Sequence, residues 1–288
     1  MKLTDRQAFE QYAERVSSDW AKLHDGSSWV FRVPIGEWSK SKGALATFDY
    51  LRLLLEESGL TYTLKRVGSG GWNWADPSVV VQGPNHPSIL YANVTADRVP
   101  DLIASLKSGK PHEELAVGTF ADTPVGNIQP IAEHPFFAGQ KKFLTADWGV
   151  IDPESIADYI ARGGYGALKK ALFEMTPDEV IEEMKTASVR GRGGAGFPAG
   201  IKWESARRSR AEPKFIAINS HEGEPNVYKD RQLIESNPHL VLEGILIACY
   251  AVGSNRGYNY VGGEHVLALE RFRKAVAQAE EWGLIGEN

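Results

Sequence analysis

A glycine-rich segment lies between residues 191 and 200, where five of the ten residues are glycine. Because glycine has no Cβ atom, such a backbone can turn tightly and present its N–H groups to an approaching phosphate. Arg192 and Lys202 add positive charge, so the segment predicts an anion-binding loop. The alternative is a flexible surface linker, in which the aromatic residues Phe197 and Trp203 would be unusual.

Two nucleotide-binding motifs come close to matching this segment. Gly191, Gly193 and Gly196 fit the spacing G-x-G-x-x-G. The dinucleotide fingerprint follows a strand, however, whereas a predicted helix ending near Ala187 precedes this loop. The P-loop pattern also fails, because no Gly-Lys-Ser or Gly-Lys-Thr closes the segment. We therefore exclude an ordinary Rossmann fingerprint and a P-loop.

A second polar segment, residues 219–225, follows a predicted buried strand at 214–219. Open α/β sheets bind their ligands at the carboxyl ends of their strands. The amide of Asn219 and the carboxylates of Glu222 and Glu224 suit hydrogen bonds to ribityl hydroxyls, flavin nitrogens or a nicotinamide. The alternative for this segment is a solvated acidic turn.

Other possible sites are excluded by their neighbours. His221 begins an H-E-x-x-H pattern, but Pro225 occupies the second histidine position, which excludes a zinc protease. Ser39 and Lys42 fit S-x-x-K without the K-T-G or S-D-N that such enzymes require. Cys249 lies in an apolar helix and is most simply a core residue. We therefore predict no metal site and neither of these two enzyme types.

Composition limits the classes of function. The 288 residues include 32 basic and 37 acidic side chains, and the net charge is −5. This balance argues against nucleic acid as a partner, and the length suits about two domains. One cysteine supplies neither an internal disulfide nor an iron-sulfur cluster. With no signal peptide and no apolar run of about 18 residues, we expect a cytoplasmic protein without direct membrane insertion.

The first half of the sequence predicts a small α/β domain. Apolar residues at helical spacing predict an opening helix over residues 5–23. The elements that follow are a strand at 29–33, a helix at 44–57, strands at 62–67, 78–82 and 89–94, and a helix at 96–106. This order suggests a thioredoxin-like domain, which we assign to residues 1–110.

The second half predicts a parallel α/β domain over residues 151–288. Residues 111–150 carry four prolines with little periodicity and predict a linker or extended arm. A strand at 214–219, a helix at 238–252 and a strand at 258–261 form a parallel β-α-β unit, followed by a helix at 264–282. Because parallel sheets normally have more strands, the predicted sheet is only part of a domain.

Several segments together resemble one family, the FMN-binding, NADH-oxidising subunit of respiratory complex I, which also occurs in NAD-linked hydrogenases and formate dehydrogenases. The segments that carry the resemblance are residues 190–203, 219–225, 229–231, 237–240 and 243–244, and the stretch from 134–136 through 151–155 is also similar to that family. The resemblance covers residues 134–288. It implies that the second domain is a partial Rossmann-like FMN-binding domain.

By this resemblance the chain binds FMN and NAD(H). Asn219 and Glu222 hold polar parts of the flavin, while Phe197, Lys202 and Glu224 adjoin the nicotinamide nucleotide. The implied reaction is hydride transfer between NAD(H) and FMN, with electrons passing singly to iron-sulfur centres in partner subunits. Because the cofactor does the chemistry, the resemblance implies no catalytic acid, base or nucleophile. The residues assigned to the cofactors are Gly191, Arg192, Gly193, Gly194, Gly196, Phe197, Lys202, Asn219, Glu222 and Glu224.

The first half resembles the thioredoxin-like ferredoxin domain that often precedes this module. That domain has two cluster cysteines in G-C-x-G-x-C, followed by Glu-Pro. The present sequence has G-S-G-G-W-N at residues 68–73, followed by Asp76 and Pro77. Because both cysteine positions hold other residues, we expect no iron-sulfur cluster in this chain. We expect the domain to dock a partner instead.

The sequence departs from the family pattern at several positions. His221 replaces an aspartate, and Gly262 and His265 interrupt the family's Arg-Gly-Glu-Tyr pattern. The chain ends at Asn288, before the family's next strand, nucleotide loop and cysteine-bearing bundle, so we expect another chain to complete the site. We interpret the protein as a short NADH-oxidising flavoprotein subunit, cytoplasmic or peripheral to a membrane complex. The alternative is a non-catalytic assembly or docking module.

Overall fold

The computed structural model describes Leu3 and residues 5–286 of the chain. These residues divide into two compact units. The sheet unit comprises residues 15–158 and 235–237, and the helical unit comprises residues up to 14, 159–234 and from 238 onward. Helix α1, Arg6–Leu23, contributes residues to both units. It begins where the Asp5 carboxylate accepts a hydrogen bond from the backbone N–H of Ala8.

The sheet unit is built on a five-stranded mixed sheet in the order β2-β1-β3-β4-β5. Its strands are β1 Trp29–Pro34, β2 Tyr62–Val67, β3 Val79–Gly83, β4 His86–Tyr91 and β5 Ala116–Thr119, and its other helices are α2 Glu37–Ser41, α3 Ala44–Ser58 and α4 Val99–Lys107. Strands β1 and β2 are parallel and joined through α3, while the remaining pairs are antiparallel. This is the thioredoxin-like arrangement that the sequence predicts.

Both faces of this sheet are covered, which explains the apolar run in its central strand β3. Val79 and Val81 join a core with residues of α3 and α4 such as Leu51 and Leu102. Val80, on the opposite face, packs in a second core. A strand buried on both faces has no polar alternation, and the sequence shows none here.

The segment 111–150 is not the linker that the sequence predicts. It supplies strand β5, which pairs with β4, and its Ile131 and Phe137 complete the second core of the sheet unit. Leu115 joins the first core. The prediction was wrong because side chains that cover a sheet from an irregular segment need not follow a helix or strand period.

The helical unit surrounds one long apolar helix, α10. Its elements are α5 Ile156–Ala161, α6 Gly166–Glu174, α7 Pro177–Thr186, α8 Ala199–Arg208, α9 Lys229–Ser236, α10 Pro238–Val252, α11 Val266–Glu281, β6 Ile216–Ser220 and β7 Gly257–Val261, although the first residues of α5 and the last of α9 lie in the sheet unit. Helix α7 has a capping box, in which Thr176 and Glu179 bond reciprocally. Helix α10 buries Leu242, Ile245 and Ala248.

Strands β6 and β7 form a parallel two-stranded sheet and are joined through α10, as predicted. Register pairs Ser220 with Val261, so both strands end at the same edge. On one face of this sheet the side chains of Tyr258 and Tyr260 are 55% and 68% exposed. Among the described residues, no helix is both long enough and apolar enough to cross a membrane.

Candidate functional site

The glycine-rich segment forms a closed turn that leads directly into a helix. The backbone N–H of Gly191 donates to the carbonyl of Phe197 at 2.8 Å, and Ala199 donates to Val189 at 2.8 Å. Helix α8 begins at Ala199, immediately after the turn. Its N-cap is Pro198, which has no polar side chain with which to cap the helix. The amide-rich start of α8 is therefore open to an external acceptor.

Two glycines in the turn have backbone conformations that favour glycine. Gly194 has φ +109° and Gly196 has φ +62°, in the region that L side chains rarely adopt. A Cβ atom placed on Gly193, Gly194 or Gly196 would meet nothing within 4 Å. These glycines are thus needed for the path of the backbone and not for packing, and the space around them is open to a ligand.

Three of the predicted side chains lie exposed around this turn. Arg192 and Lys202 are both exposed, and neither has a salt bridge that the described residues provide. Phe197 is 53% exposed. The turn thus combines open backbone, positive charge and an accessible aromatic ring, which are the properties expected of a site for an aromatic nucleotide.

The second predicted segment begins at the carboxyl end of β6. The Asn219 side-chain oxygen accepts a hydrogen bond from the backbone N–H of His221 at 3.1 Å. The hydroxyl of Ser220 donates to Asn259 at 2.7 Å, which links the end of β6 to the middle of β7. Asn219 itself is exposed, so its amide nitrogen faces no competing protein group in the described contacts.

Glu222 is buried and already bonded to the start of α9. Its carboxylate accepts hydrogen bonds from the backbone N–H groups of Asp230 and Arg231, at 2.9 and 3.2 Å, and from the Lys229 amine at 3.3 Å. The pKa of Glu222 is lowered: burial, the largest influence, opposes ionisation, but the two N–H groups and Lys229 together outweigh it. These contacts of Glu222 therefore stabilise the loop. Glu224, two residues later, is exposed and so remains accessible to a ligand.

The two predicted segments are not joined directly. No hydrogen bond or ion pair between residues 190–198 and 219–225 is found in the described part of the chain. The second segment instead meets the loop after β7, because His221 Nδ1 lies 3.9 Å from the carboxylate of Glu264. Glu264 had no predicted role. Its position directly after a parallel strand, beside two glycines, was the available signal.

The segment matching the ferredoxin cysteine loop, residues 68–73, is filled by an aromatic side chain. Trp72 is 2% exposed, and its indole N–H donates to Ser78, which in turn donates to Asp76. Burial raises the pKa of Asp76 to about 6, against the opposing hydrogen bond from Ser78. A [2Fe-2S] cluster needs four ligands, usually thiolates, so the donors in this segment do not fit one.

Neither the single cysteine nor the acidic and histidine side chains of the described residues form a metal site. Cys249 is half-buried in α10, and burial raises the pKa of its thiol. Within Leu3 and residues 5–286, no group of three or more histidine, cysteine, aspartate or glutamate side chains has a geometry that could hold a metal ion.

Comparison with known proteins finds similarity in the second half of the chain. Residues 184–285 match the model of the Nuo51 FMN-binding domain. Over 137 residues the chain is 45% identical to an NADH-quinone oxidoreductase subunit of Rhizobium meliloti (strain 1021), an alignment that covers 48% of this chain and 32% of the relative. Over 149 residues it is 48% identical to the HndC subunit of the NADP-reducing hydrogenase of Solidesulfovibrio fructosivorans, covering 52% of this chain and 30% of the relative.

A solved structure, that of an NAD+-reducing [NiFe]-hydrogenase in the air-oxidised state, aligns with 98% of this chain and 48% of its own chain, at 18% identity and a TM-score of 0.40. The matched segments span about a third of the curated relatives, 32% and 30% of their lengths. Both the glycine-rich turn and the segment after β6 fall within the matched residues. Through residues 184–285, the chain is therefore similar to the Nuo51 FMN-binding domain.

Proposed function

We propose that this chain binds FMN and NAD(H) as the flavin-binding part of a redox assembly. The observation that carries this proposal is the turn at residues 191–198, which has free space around its glycines. Two of these glycines have left-handed conformations, and the turn leads into the start of α8, which no side chain caps. A helix N-terminus behind a glycine turn is a favourable place for a phosphate. The relatives are named as NADH-quinone and NADP-reducing enzyme subunits, which agrees with such a cofactor.

The residues of the turn fit the phosphate end of FMN. The backbone around Gly193, Gly194 and Gly196 is free of steric obstruction, so a phosphate can approach the N–H groups closely. Arg192 supplies positive charge without an internal partner that would have to be displaced. Asn219 would hold a polar part of the flavin with its amide. Glu222 would support that loop through its bonds to α9, and this role replaces the direct flavin contact implied by family resemblance.

The nicotinamide nucleotide would lie near Phe197, Lys202 and Glu224. All three side chains are exposed, which leaves them available to a second ligand. Phe197 offers an aromatic face, and Lys202 offers a positive charge to the pyrophosphate. When bound, FMN supplies acceptance of a hydride and onward transfer of single electrons, so the protein groups need only bind and orient the two nucleotides.

The proposed partners are subunits that receive electrons at iron-sulfur centres. The sheet unit, with Ser69 and Asn73 at the cysteine positions of the ferredoxin loop, would serve for docking instead of electron transfer. A rival role is that of an assembly module that retains the fold without turning over NADH.

Titration of the purified full chain with FMN, followed by flavin fluorescence and calorimetry, tests the proposal. We expect saturable binding of one FMN per chain, and bleaching of the bound flavin by NADH under anaerobic conditions. Bound flavin that NADH leaves oxidised would support the assembly role, and failure to bind FMN, alone and with co-expressed neighbouring subunits, would refute the proposal. Riboflavin is the matched control ligand, since it lacks the phosphate and should bind much more weakly.

A further inference from the structure

A groove of about 620 Å³ lies along β5, which is an edge strand of the sheet unit. Ala116 and Val117 of β5 form one side of it. The segment 127–130 forms the other side and is held beside the strand by a hydrogen bond from the Thr119 N–H to the Gln129 carbonyl, at 3.0 Å. We name this groove, lined by residues 113–114, 116–117, 127–130 and 133–135, the β5 groove.

The β5 groove combines apolar walls with acidic side chains. Its apolar residues include Ile128 and Pro130, which are both buried. Glu113, Glu114 and Glu133 also line it and are exposed, whereas its lining, within the described part of the chain, contains no lysine or arginine. The β5 groove therefore offers apolar contact together with negative charge.

Two of these three glutamates have no cation beside them. Glu114 pairs with Arg98, whose Nη2 lies 3.0 Å from the carboxylate. Glu113 accepts a hydrogen bond from the Asn127 amide at 2.9 Å, and neither Glu113 nor Glu133 has an ion pair among the described residues. Nor do the three carboxylates converge on a single point, since among residues 3 and 5–286 no group of three or more possible ligands could hold a metal ion. The charges therefore suit an extended cationic ligand.

An exposed tryptophan borders the β5 groove. The imidazole of His134, which lines the groove, stacks on the indole of Trp74, with ring centres 5.5 Å apart and planes inclined by 8°. The ring of Phe136 meets the same indole edge-on at 5.6 Å. Trp74 is held by these two rings and is still 47% exposed. Aromatic side chains of this kind are frequent anchors of protein interfaces, and an indole is the best aromatic partner for a guanidinium.

We propose that the β5 groove binds an extended, arginine-bearing segment of a partner protein. This inference rests on the docking role proposed for the sheet unit, and it does not depend on FMN. Successive side chains of an extended segment point to opposite sides, so apolar residues can contact Val117 and Ile128 while arginines reach Glu113 and Glu133. Arginine is favoured over lysine because its planar guanidinium bonds a carboxylate through two N–H groups and stacks on Trp74.

A short fluorescein-labelled peptide of alternating arginine and valine tests the proposal by fluorescence anisotropy with the full chain. We expect saturable binding of one peptide per chain, which weakens as the salt concentration rises because exposed charges are screened. The same peptide with lysine in place of arginine should bind about threefold more weakly. The peptide with glutamate in place of arginine should not bind. Failure of the arginine peptide to bind would overturn the proposal.

Matched variants separate the β5 groove from the negative charge of the whole chain. The double variant Glu113→Gln and Glu133→Gln should weaken binding of the arginine peptide about fivefold or more. Glu56→Gln with Glu57→Gln removes the same charge from exposed positions on α3, and should leave the affinity unchanged. Trp74→Ala should abolish the preference for arginine over lysine. Equal losses in the two double variants, or an unchanged preference in Trp74→Ala, would contradict the assignment.

The outcomes distinguish this inference from the flavin assignment. The substituted residues lie in the sheet unit and the glycine turn lies in the helical unit, so each variant should retain the FMN affinity of the wild type. If the chain binds FMN but not the arginine peptide, the groove assignment is wrong and the flavin site stands. If the peptide binds through Glu113 and Glu133 while FMN does not bind, the flavin assignment fails and the docking surface stands. Circular dichroism of each variant establishes that its fold is retained.

Discussion

At the scale of single residues, glycines in and beside the turn are required for two different reasons, close packing at one position and backbone conformation at another. Gly200 is packed, since a Cβ atom there would come within 2.8 Å of the Lys185 backbone. Gly194 has open space around it but a φ of +109°. The sequence predicts the turn from the number of its glycines. It does not tell which of them the backbone requires, because φ depends on how the turn closes between Gly191 and Phe197.

Replacement of Gly194 by valine tests the turn. Because a β-branched residue at φ +109° is strained by about 1–3 kcal/mol, we expect Gly194→Val to rearrange the turn and weaken FMN binding at least tenfold, roughly the value of that strain. The nearby space is open, so the unfolding temperature should hardly change. Gly139→Val, at an equally open glycine without a positive φ, is the control. Full FMN affinity in Gly194→Val would contradict the assigned role.

Glu222 and Glu224 differ in burial, although only Gly223 lies between them in the sequence. Glu222 is buried and Glu224 is exposed. We expect Glu222→Gln to lower the free energy of unfolding by about 1–2 kcal/mol, because the charged cap of α9 is lost. The exposed Glu224→Gln should leave stability unchanged and weaken reduction of bound flavin by NADH. Urea denaturation and anaerobic NADH titration measure the two effects. Equal stability of the two variants would contradict the helix-capping role of Glu222.

At the scale of elements, the sequence predicts most strands and the long helices well but misses strand β5 and several short helices, α8 and α9 among them. Helix α10 has its predicted bounds because Pro238 marks its start and a continuous apolar run its length. Helices α8 and α9 were not predicted. The start of α8 is hidden in the glycine turn. The start of α9 is fixed by Glu222, seven residues before Lys229, and this long-range cap has no local sequence pattern.

A buried polar network links four elements of the helical unit. The Glu243 carboxylate on α10 accepts hydrogen bonds from the Tyr159 hydroxyl and from the backbone N–H groups of Tyr165 and Leu168. His239, also on α10, bonds Tyr165 and Gln278 of α11. These polar residues had no predicted structural role, since a polar side chain within a helix is ordinarily expected at the surface.

This network predicts a stability that falls in acid. Burial, opposed by the bond to Gln278, lowers the pKa of His239 to about 4, whereas an unfolded histidine titrates near about 6.5. Between these values only the unfolded chain binds the proton. The contribution of His239 to the free energy of unfolding is therefore complete above the pKa of the unfolded chain. It is lost as the pH falls toward about 4, by up to about 3 kcal/mol. Asp76, whose pKa is raised, contributes the opposite slope in the sheet unit.

Denaturant titrations of wild type and His239→Gln across this range isolate the effect of His239. We expect the difference in unfolding free energy between the two proteins to shrink as the pH falls, because only the wild type loses this contribution. A difference that stays constant with pH would show that His239 is not the group responsible.

At the scale of the whole molecule, the order of elements is predictable and the division of the chain is less so. The alternation of strand and helix predicts a thioredoxin-like sheet and a parallel β-α-β unit, both of which the structure contains. Residues 111–150 were expected to separate the units. They belong to the sheet unit because Ile131 and Phe137 cover its second face. Such a contact joins residues far apart in sequence, and local patterns carry no signal for it.

The sheet unit also allows a prediction about cofactor content. Trp72 fills residues 68–73, the segment whose sequence resembles a ferredoxin cysteine loop, and Ser69 and Asn73 stand at the two cysteine positions of that loop. We expect protein purified anaerobically from iron-supplied cells to contain neither iron nor acid-labile sulfide in stoichiometric amounts. Iron and sulfide analysis, with visible absorption as a check, measures this. Two irons per chain would contradict the prediction.

The single cysteine gives this molecule a practical property. Because the Cys249 thiol is half-buried and its pKa is raised, maleimide reagents should modify it slowly at neutral pH. A cysteine introduced on the exposed turn at residues 191–197 would then react first. A spin label or fluorophore attached there would report ligand-dependent motion of the turn, with no need to engineer a thiol-free background.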